Sequence, residues 1–417
     1  MARRTLFSQY ENRDAGSKAN DTTALGDDGV RRMSDPRRDL VQLRRALHRI
    51  PELGYQERET SRTVMGYVSR YAACRSVAKT GFIADIGPQN ASTTVLLRAD
   101  MDALPIQEET GLPYSSTIAG RMHACGHDAH MASLAVAGRL MAESPPDDVR
   151  VRLLFQPAEE GGDGARACID DGALDGVDAA FGIHVWNELP LGTVALTRGG
   201  IMAGVVELGI RVIGEGGHGA MPHRAKDPVV AAAHLITALQ TVASRAIAPV
   251  DPVVVTIGSI HGGDAFNVIP GVVELCGTCR GFSAAVIEET EHQVKTIAAG
   301  IAAATGTRIE VDWRVSPPPT VNDQRVAELA ETAATVHMRG FEHVLDDYRT
   351  MAGEDFGEIL AEVPGCFALV GSQNEALGLV ESHHSPRFEI DEAALTLACE
   401  LHCAVVREIA DRGLPQG

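Results

Sequence analysis

Residues 128 to 162 read "DAHMASLAVAGRLMAESPPDDVRVRLLFQPAEEGG", and this stretch decides the fold. Its first part reads as a helix that Asp128 is placed to cap. Its second part alternates through Val149, Val151, Leu153 and Phe155 until Pro157 ends a strand. Upstream, "TTVLLRADMDALPI" reads as a buried strand, Thr94 to Arg98, running into a loop with Asp100 and Asp102 at i and i+2, which can converge. Downstream, "DAAFGIHVW" reads as a short apolar strand carrying His184. Strand, helix, strand and strand in succession predict an α/β sheet with parallel pairs, whose ligands sit beyond the carboxyl ends of the strands.

The pattern extends outward from there. "LVQLRRALHRIPEL" has helical spacing and stops at Pro51. From Gly199 the order becomes β-α-β-β-α-β, the ferredoxin-like motif. We expect three parts: a disordered tail at 1–35, a catalytic domain formed by 36–198 and 315–417, and a second domain, 199–314, inserted into the first. "SPPPT" is a stiff return linker, and the helix "DEAALTLACELHCAVVREIA" closes the sheet domain.

A chain of 417 residues, 45% hydrophobic, exceeds the size at which one core stops growing, about 250–300 residues. The net charge of −19 argues against nucleic acid, which is bound through clustered Lys and Arg. Eight cysteines are too sparse for a disulfide framework and fit reduced thiols. The N-terminal residues hold no apolar signal core, and no run of about 18 apolar residues is expected to span a bilayer. The expectation is a soluble, cytoplasmic protein with no membrane partner.

The motifs are weak singly. In "MHACGHDAHM", Cys125 and His127 offer a thiolate and an imidazole two residues apart, a short chelate for a divalent ion, but also an ordinary polar loop. Glu159 and Glu160 follow an apolar strand, where adjacent carboxylates repel unless a cation or shared proton offsets them. Their side chains would point to different sides, one toward a metal and one toward water as general base; a solvated strand end is the alternative. His184 could equally be a hydrogen-bonded core histidine, and His384 in "HHSP" a late ligand or a loop residue. "CGTC" alternates as a strand, so Cys276 and Cys279 should face opposite sides; Cys399 and Cys403 read as helix core. Glu354 and Asp355 read as a solvated loop, with the lining of a cleft as the alternative.

Together, "LLRADMDALP", "MHACGHDAHM", "FQPAEEGG", "GIHV", "GGHGAMPH", "FNVIPG", "GTCR", "AGEDF" and "HHSPRF" resemble, in this order, the M20 metallopeptidase superfamily. The similarity is to its amidohydrolase branch of hippurate hydrolases, N-acyl-amino-acid amidohydrolases and auxin-conjugate hydrolases. The resemblance implies a mixed-sheet zinc-peptidase-like catalytic domain with an inserted ferredoxin-like α+β lid and dimerisation domain. It implies that Cys125, His127, Glu160, His184 and His384 hold two divalent ions (Mn²⁺, Zn²⁺, Co²⁺ or Ni²⁺), and that Glu159 is the general base. His218 and Asn267 would stabilise the oxyanion, the histidine reaching over from the other subunit of a homodimer, and Arg280 would clasp the substrate's α-carboxylate. Many relatives have His-x-Asp where this chain has Asp100-Met101-Asp102, so Asp100 and Asp102 stay off the ligand set as orienting partners; His123, His130 and His383 receive no role. The implied reaction is hydrolysis of an N-acyl amino acid to a carboxylic acid and a free amino acid, a dipeptidase or carboxypeptidase being the alternative on the same scaffold.

Overall fold

The computed structural model describes residues 35–415. The tail expected at 1–35 therefore lies outside the described residues except for Asp35, whose side chain caps the helix Pro36–His48 by accepting from the Arg37 amide at 3.1 Å. Two compact units divide the chain: residues 1–198, 323–347 and 363–417, and residues 199–322 and 348–362. The second unit thus continues past the expected boundary at 314 and takes in 348–362. The strand Thr320–Asn322 explains the first difference, because it pairs with Gly199–Met202 rather than returning to the first unit's sheet.

The first unit is built on a mixed eight-stranded sheet ordered Cys74–Val77, Gly81–Ile86, Val149–Gln156, Thr93–Asp100, Ala179–Pro190, Gly365–Gln373, Thr193–Ala195, His343–Leu345. The four central strands, from Val149–Gln156 to Gly365–Gln373, run parallel. The helix His127–Glu143 packs its Leu134, Ala135 and Leu140 into the core with Leu97, Leu153 and Phe181. It also meets the C-terminal helix Ala393–Arg412, on which Cys399 and Cys403 are buried core residues as expected. The helix does not start as the sequence suggested. Its cap is Gly126 in a left-handed conformation (φ +90°), and Asp128 is a fully buried residue of the first turn. Only glycine fits there, since a Cβ would stand 2.5 Å from Val185 Cγ2.

The second unit has a four-stranded antiparallel sheet ordered Val253–His261, Val272–Gly281, Gly204–Ile213, Arg308–Val315. With helices Pro228–Thr241 and Ala284–Thr305 between its strands, this is the ferredoxin-like order. Cys276 is exposed and Cys279 buried, on opposite faces of their strand. Pro228–Ala246 corrects one expectation, being long and apolar enough, at mean hydropathy 1.2, to cross a membrane by length and composition. Its Ala231, Ala232, Leu235 and Leu239 pack into this unit's core with Val206, Leu208 and Leu275. Glu354 and Asp355 are buried rather than solvated; Glu354 Oε1 accepts from the Phe356 amide at 2.8 Å, at the start of helix Phe356–Glu362.

Candidate metal centre

The parallel strands deliver the polar residues at their carboxyl ends, as α/β sheets do. Asp100 ends Thr93–Asp100, and Glu159 and Glu160 follow Val149–Gln156. His184 lies on Ala179–Pro190, and Cys125 and His127 flank Gly126 at the start of the helix. His384 is tied beside them by its amide, which donates to Ala124 O at 2.8 Å.

All five expected ligands converge. Donor atoms of Cys125, His127 and His184 lie within 4.8 Å of one another, and so do those of Cys125, Glu160 and His384. Cys125 belongs to both groups; its Sγ is 3.4 Å from His184 Nε2, and His384 Nε2 is 3.2 Å from Glu160 Oε1. Glu159 joins His127 and Glu160 in a third group of the same span. The two glutamates do not point apart as strand residues would, because the strand has ended at Gln156 and they occupy a turn in which the Gly162 amide donates to Ala158 O at 3.2 Å. Asp102 holds that turn: its Oδ1 accepts from the Glu159 amide at 2.9 Å and its Oδ2 from the Glu160 amide at 3.0 Å. Asp100 and Asp102 both reach His127, Asp100 Oδ2 lying 3.6 Å from its Nε2 and Asp102 Oδ1 3.5 Å from its Nδ1, while Asp100 also pairs with Arg98 and His130. Ala158 (φ +54°) and His384 (φ +66°) both hold left-handed backbone without being glycine, strain of the sort that gathers at functional sites.

The residues fit a divalent cation. His127 Nδ1 donates to the carbonyl of Asp102 at 2.8 Å, leaving Nε2 buried and without a hydrogen bond. Burial opposes charge on this ring, yet Asp100, Asp102 and Glu160 pull its pKa up to about 10, so the pocket's field favours a cation. The Cys125 thiol is pushed well above its ordinary value by burial and by Glu160, Glu159 and Asp100, a cost that a metal bound to its thiolate would remove. The thiol and imidazoles suit borderline divalent ions such as Zn²⁺, Co²⁺ or Ni²⁺, and the carboxylates also admit the harder Mn²⁺. His184 is held well below its ordinary pKa by burial and by His130 and His383, and a neutral ring is the form that ligates.

A buried charge cluster that the sequence did not suggest lies behind the centre. Arg44 donates to Asp128 at 3.0 Å and pairs with Glu389 at 2.8 Å and Glu392 at 3.2 Å. His48 Nδ1 donates to Asp128 at 2.8 Å, and its Nε2 lies 3.4 Å from Glu108. The spacing of Arg44 and His48, one helical turn apart, was the available signal. Burial opposes the charge of His48, but Asp128 and Glu108 raise its pKa from 6.5 to about 9. Burial likewise opposes that of Glu108, but hydrogen bonds from His48, Thr110 and the Ser116 amide lower it from 4.5 to about 2. A raised histidine stabilises fully below its unfolded pKa and loses the contribution as pH rises through the folded one; a depressed carboxylate stabilises above its unfolded pKa and loses it as pH falls. In chelator-treated protein the contribution of His48 and Glu108 to the urea midpoint should therefore be fullest between about pH 4.5 and 6.5 and fade on both sides, while the buried neutral His123, His383 and His402 add to the acid-side loss. The alkaline fall toward pH 9, to which the raised His127 also contributes, should be shallower in His48→Gln than in the wild type; an unchanged slope would remove His48 as a source. His123 is buried with neither ring nitrogen hydrogen-bonded, and nothing in the structure explains that.

The remaining expected residues belong to the second unit. His218 and Asn267 come together there: Gly217–His218 pairs with Val268–Ile269, and the Gly219 amide donates to Asn267 O at 2.8 Å. His218 Nδ1 accepts from the Ala220 amide at 3.0 Å, which places the proton of the neutral ring on Nε2 as a donor. Arg280 lies on Val272–Gly281, half-buried and, among the described residues, without an ion pair; burial lowers its pKa. A Cβ at Gly353 would come 2.4 Å from Val205 Cγ2 and 3.4 Å from Arg280 Nη1, so glycine keeps the guanidinium uncrowded.

A mixed sheet with thiol, imidazole and carboxylate donors gathered at the carboxyl ends of its parallel central strands defines a metal-dependent hydrolase. Residues 96–408 match the model of peptidase family M20/M25/M40, and the chain belongs to that family. It is 40% identical over 369 residues to N-acetyl-L-cysteine deacetylase of Bacillus subtilis, covering 88% of this chain and 87% of that protein. With IAA-amino acid hydrolase ILR1-like 4 of Arabidopsis thaliana it shares 38% over 373 residues, covering 88% and 84%. The crystal structure of the Bacillus subtilis YXEP protein, a dinuclear metal-binding peptidase of the M20 family, superposes with a TM-score of 0.79 at 34% identity, covering 90% of this chain and 99% of that one.

Proposed function

We propose that the protein hydrolyses the amide bond of N-acyl amino acids, releasing a carboxylic acid and a free amino acid, with two divalent cations held by Cys125, His127, Glu160, His184 and His384. The observation that carries this reading is the pair of donor groups sharing Cys125, with Glu159 beside them and outside both. Bound there, the cations would polarise the amide carbonyl and acidify water. Glu159 takes the proton of the attacking water and returns it to the leaving amine. His218, through Nε2–H, and Asn267, through its amide, donate to the tetrahedral oxyanion, and Arg280 takes the substrate's α-carboxylate in a bidentate clasp. Hippurate-type substrates fall within the class. Protein loaded with Mn²⁺, Zn²⁺ or Co²⁺ should turn over members of an N-acetyl and N-benzoyl amino-acid panel; failure on every member would sink the reading, and faster turnover of free dipeptides would favour a peptidase instead.

We also propose a homodimer formed through the second unit. Phe266, Val250, Val268, Val230 and Ile260 are exposed there, and Val253–His261 is a sheet edge paired on one side only. Light scattering should give twice the chain mass, and Phe266→Asp should lower it; a wild-type monomer would remove the proposal. All eight cysteines are free, which supports a reducing, cytoplasmic setting, to be checked by fractionation.

A further inference from the structure

The backbone of one residue, Val185, gathers three histidines behind the metal centre through its N–H and its carbonyl, which lie in successive peptide planes. Its N–H donates to His130 Nε2 at 2.9 Å. Its carbonyl accepts from His184 Nδ1 at 2.6 Å and from His383 Nε2 at 2.9 Å. A ring nitrogen that accepts an amide proton carries none of its own, so the His130 proton sits on Nδ1, which donates to Asp100 Oδ1 at 2.6 Å. Asp100 is held in turn by Arg98, whose Nη1 donates to Oδ2 at 2.8 Å while Nε donates to Gln156 at 2.9 Å. Every member named from Arg98 to His184 is buried, and the Val185 side chain closes against Gly126, between Cys125 and His127.

Asp100, His127 and His130 also form a buried group of metal-binding residue types. They do not make a further cation site, because both His130 nitrogens are engaged and the Arg98 guanidinium already neutralises Asp100. Within it His127 is the ligand, and Asp100 and His130 organise rather than ligate.

We infer that His130, oriented by Asp100, is a positioning residue: by anchoring the Val185 N–H it fixes the backbone on both sides of the Val185 Cα, so that the following carbonyl takes the Nδ1 proton of His184 and leaves Nε2 as the lone pair facing Cys125. The inference rests on the proposed metal centre. Without His130, the Val185 N–H would be buried without an acceptor, and the backbone at Val185 could turn to find one, shifting the carbonyl that holds His184 in its tautomer and its aim.

Two substitutions separate this role from packing. His130→Gln can place its amide oxygen where Nε2 was and keep an acceptor for Val185; His130→Asn keeps a donor for Asp100 but withdraws that acceptor. Zn²⁺ or Mn²⁺ is titrated into metal-free protein against a chromogenic chelator, with thermal unfolding followed in parallel. Asn should weaken metal binding by about 10- to 100-fold, the usual cost of losing an outer hydrogen-bond partner, and Gln should restore most of the loss. Wild-type affinity in the Asn variant, or equal losses in both, overturns the inference. A wild-type protein that takes up no metal overturns the centre and this role with it, whereas wild-type binding beside an unaffected Asn variant overturns the role alone. Nitrogen-15 spectra of the metal-free wild type need no variant: His130 and His184 should both carry their proton on Nδ1, and a His184 proton on Nε2 overturns the inference.

Discussion

Glu159→Gln should lower kcat by about 10²- to 10⁴-fold while metal content and KM change little. The amide keeps the size of the side chain but cannot take a proton from water or return one to the amine. Its backbone would stay in place, because the turn is fixed from outside: the Asp102 carboxylate holds the Glu159 and Glu160 amides, and Glu57 Oε1 accepts from the Ala158 amide at 2.9 Å. Glu160→Gln is the contrasting variant. Glu160 shares a donor group with Cys125 and His384, so its loss should appear first as reduced metal content. The two neighbours are thus separable by what is measured, turnover against metal stoichiometry. Glu159→Gln at full activity would show that another group is the base.

The parts of this site that were legible in the sequence are those whose chemistry is carried by residue type. A thiol and an imidazole around a glycine, paired glutamates after a strand and late histidines mark donors wherever the chain places them. The converging donor groups involve the same five residues. What could not be read was direction. Strand periodicity sends Glu159 and Glu160 apart, which fails because the chain leaves extended geometry at Gln156; it sends Asp100 and Asp102 together, and both do flank His127, but it gives no hint that Asp102 also holds the glutamate turn. Asp128 misled for a similar reason. An acidic residue before an apolar helix looks like a cap, but Gly126 supplies the turn, and Asp128 is drawn inward by Arg44 and His48, 84 and 80 residues away in the chain. The domain boundary moved because a three-residue strand, Thr320–Asn322, pairs with Gly199–Met202, a choice set by tertiary contacts rather than by local pattern.

The same buried cluster predicts the largest stability change. Arg44→Met should destabilise the protein by about 3–5 kcal/mol in urea unfolding of the metal-free form, because it leaves carboxylates buried without their counter-charge. The Arg44 guanidinium is 1% exposed and serves Asp128, Glu389 and Glu392 at once, with Tyr114 Oη 3.4 Å from Nη1. Burial works against its charge, yet Asp128 and Glu389 hold its pKa above the ordinary arginine value. Arg44→Lys should recover only part of the loss, since a point charge cannot reach three carboxylates from one fork. Asp128 immediately follows His127, and His48 alone would remain to neutralise it, so the first turn of the metal-binding helix should loosen as well. Metal affinity in Arg44→Met should therefore fall together with stability. A cost below about 1 kcal/mol, the scale of an exposed ion pair, would mean that water reaches this cluster and that it does not brace the centre.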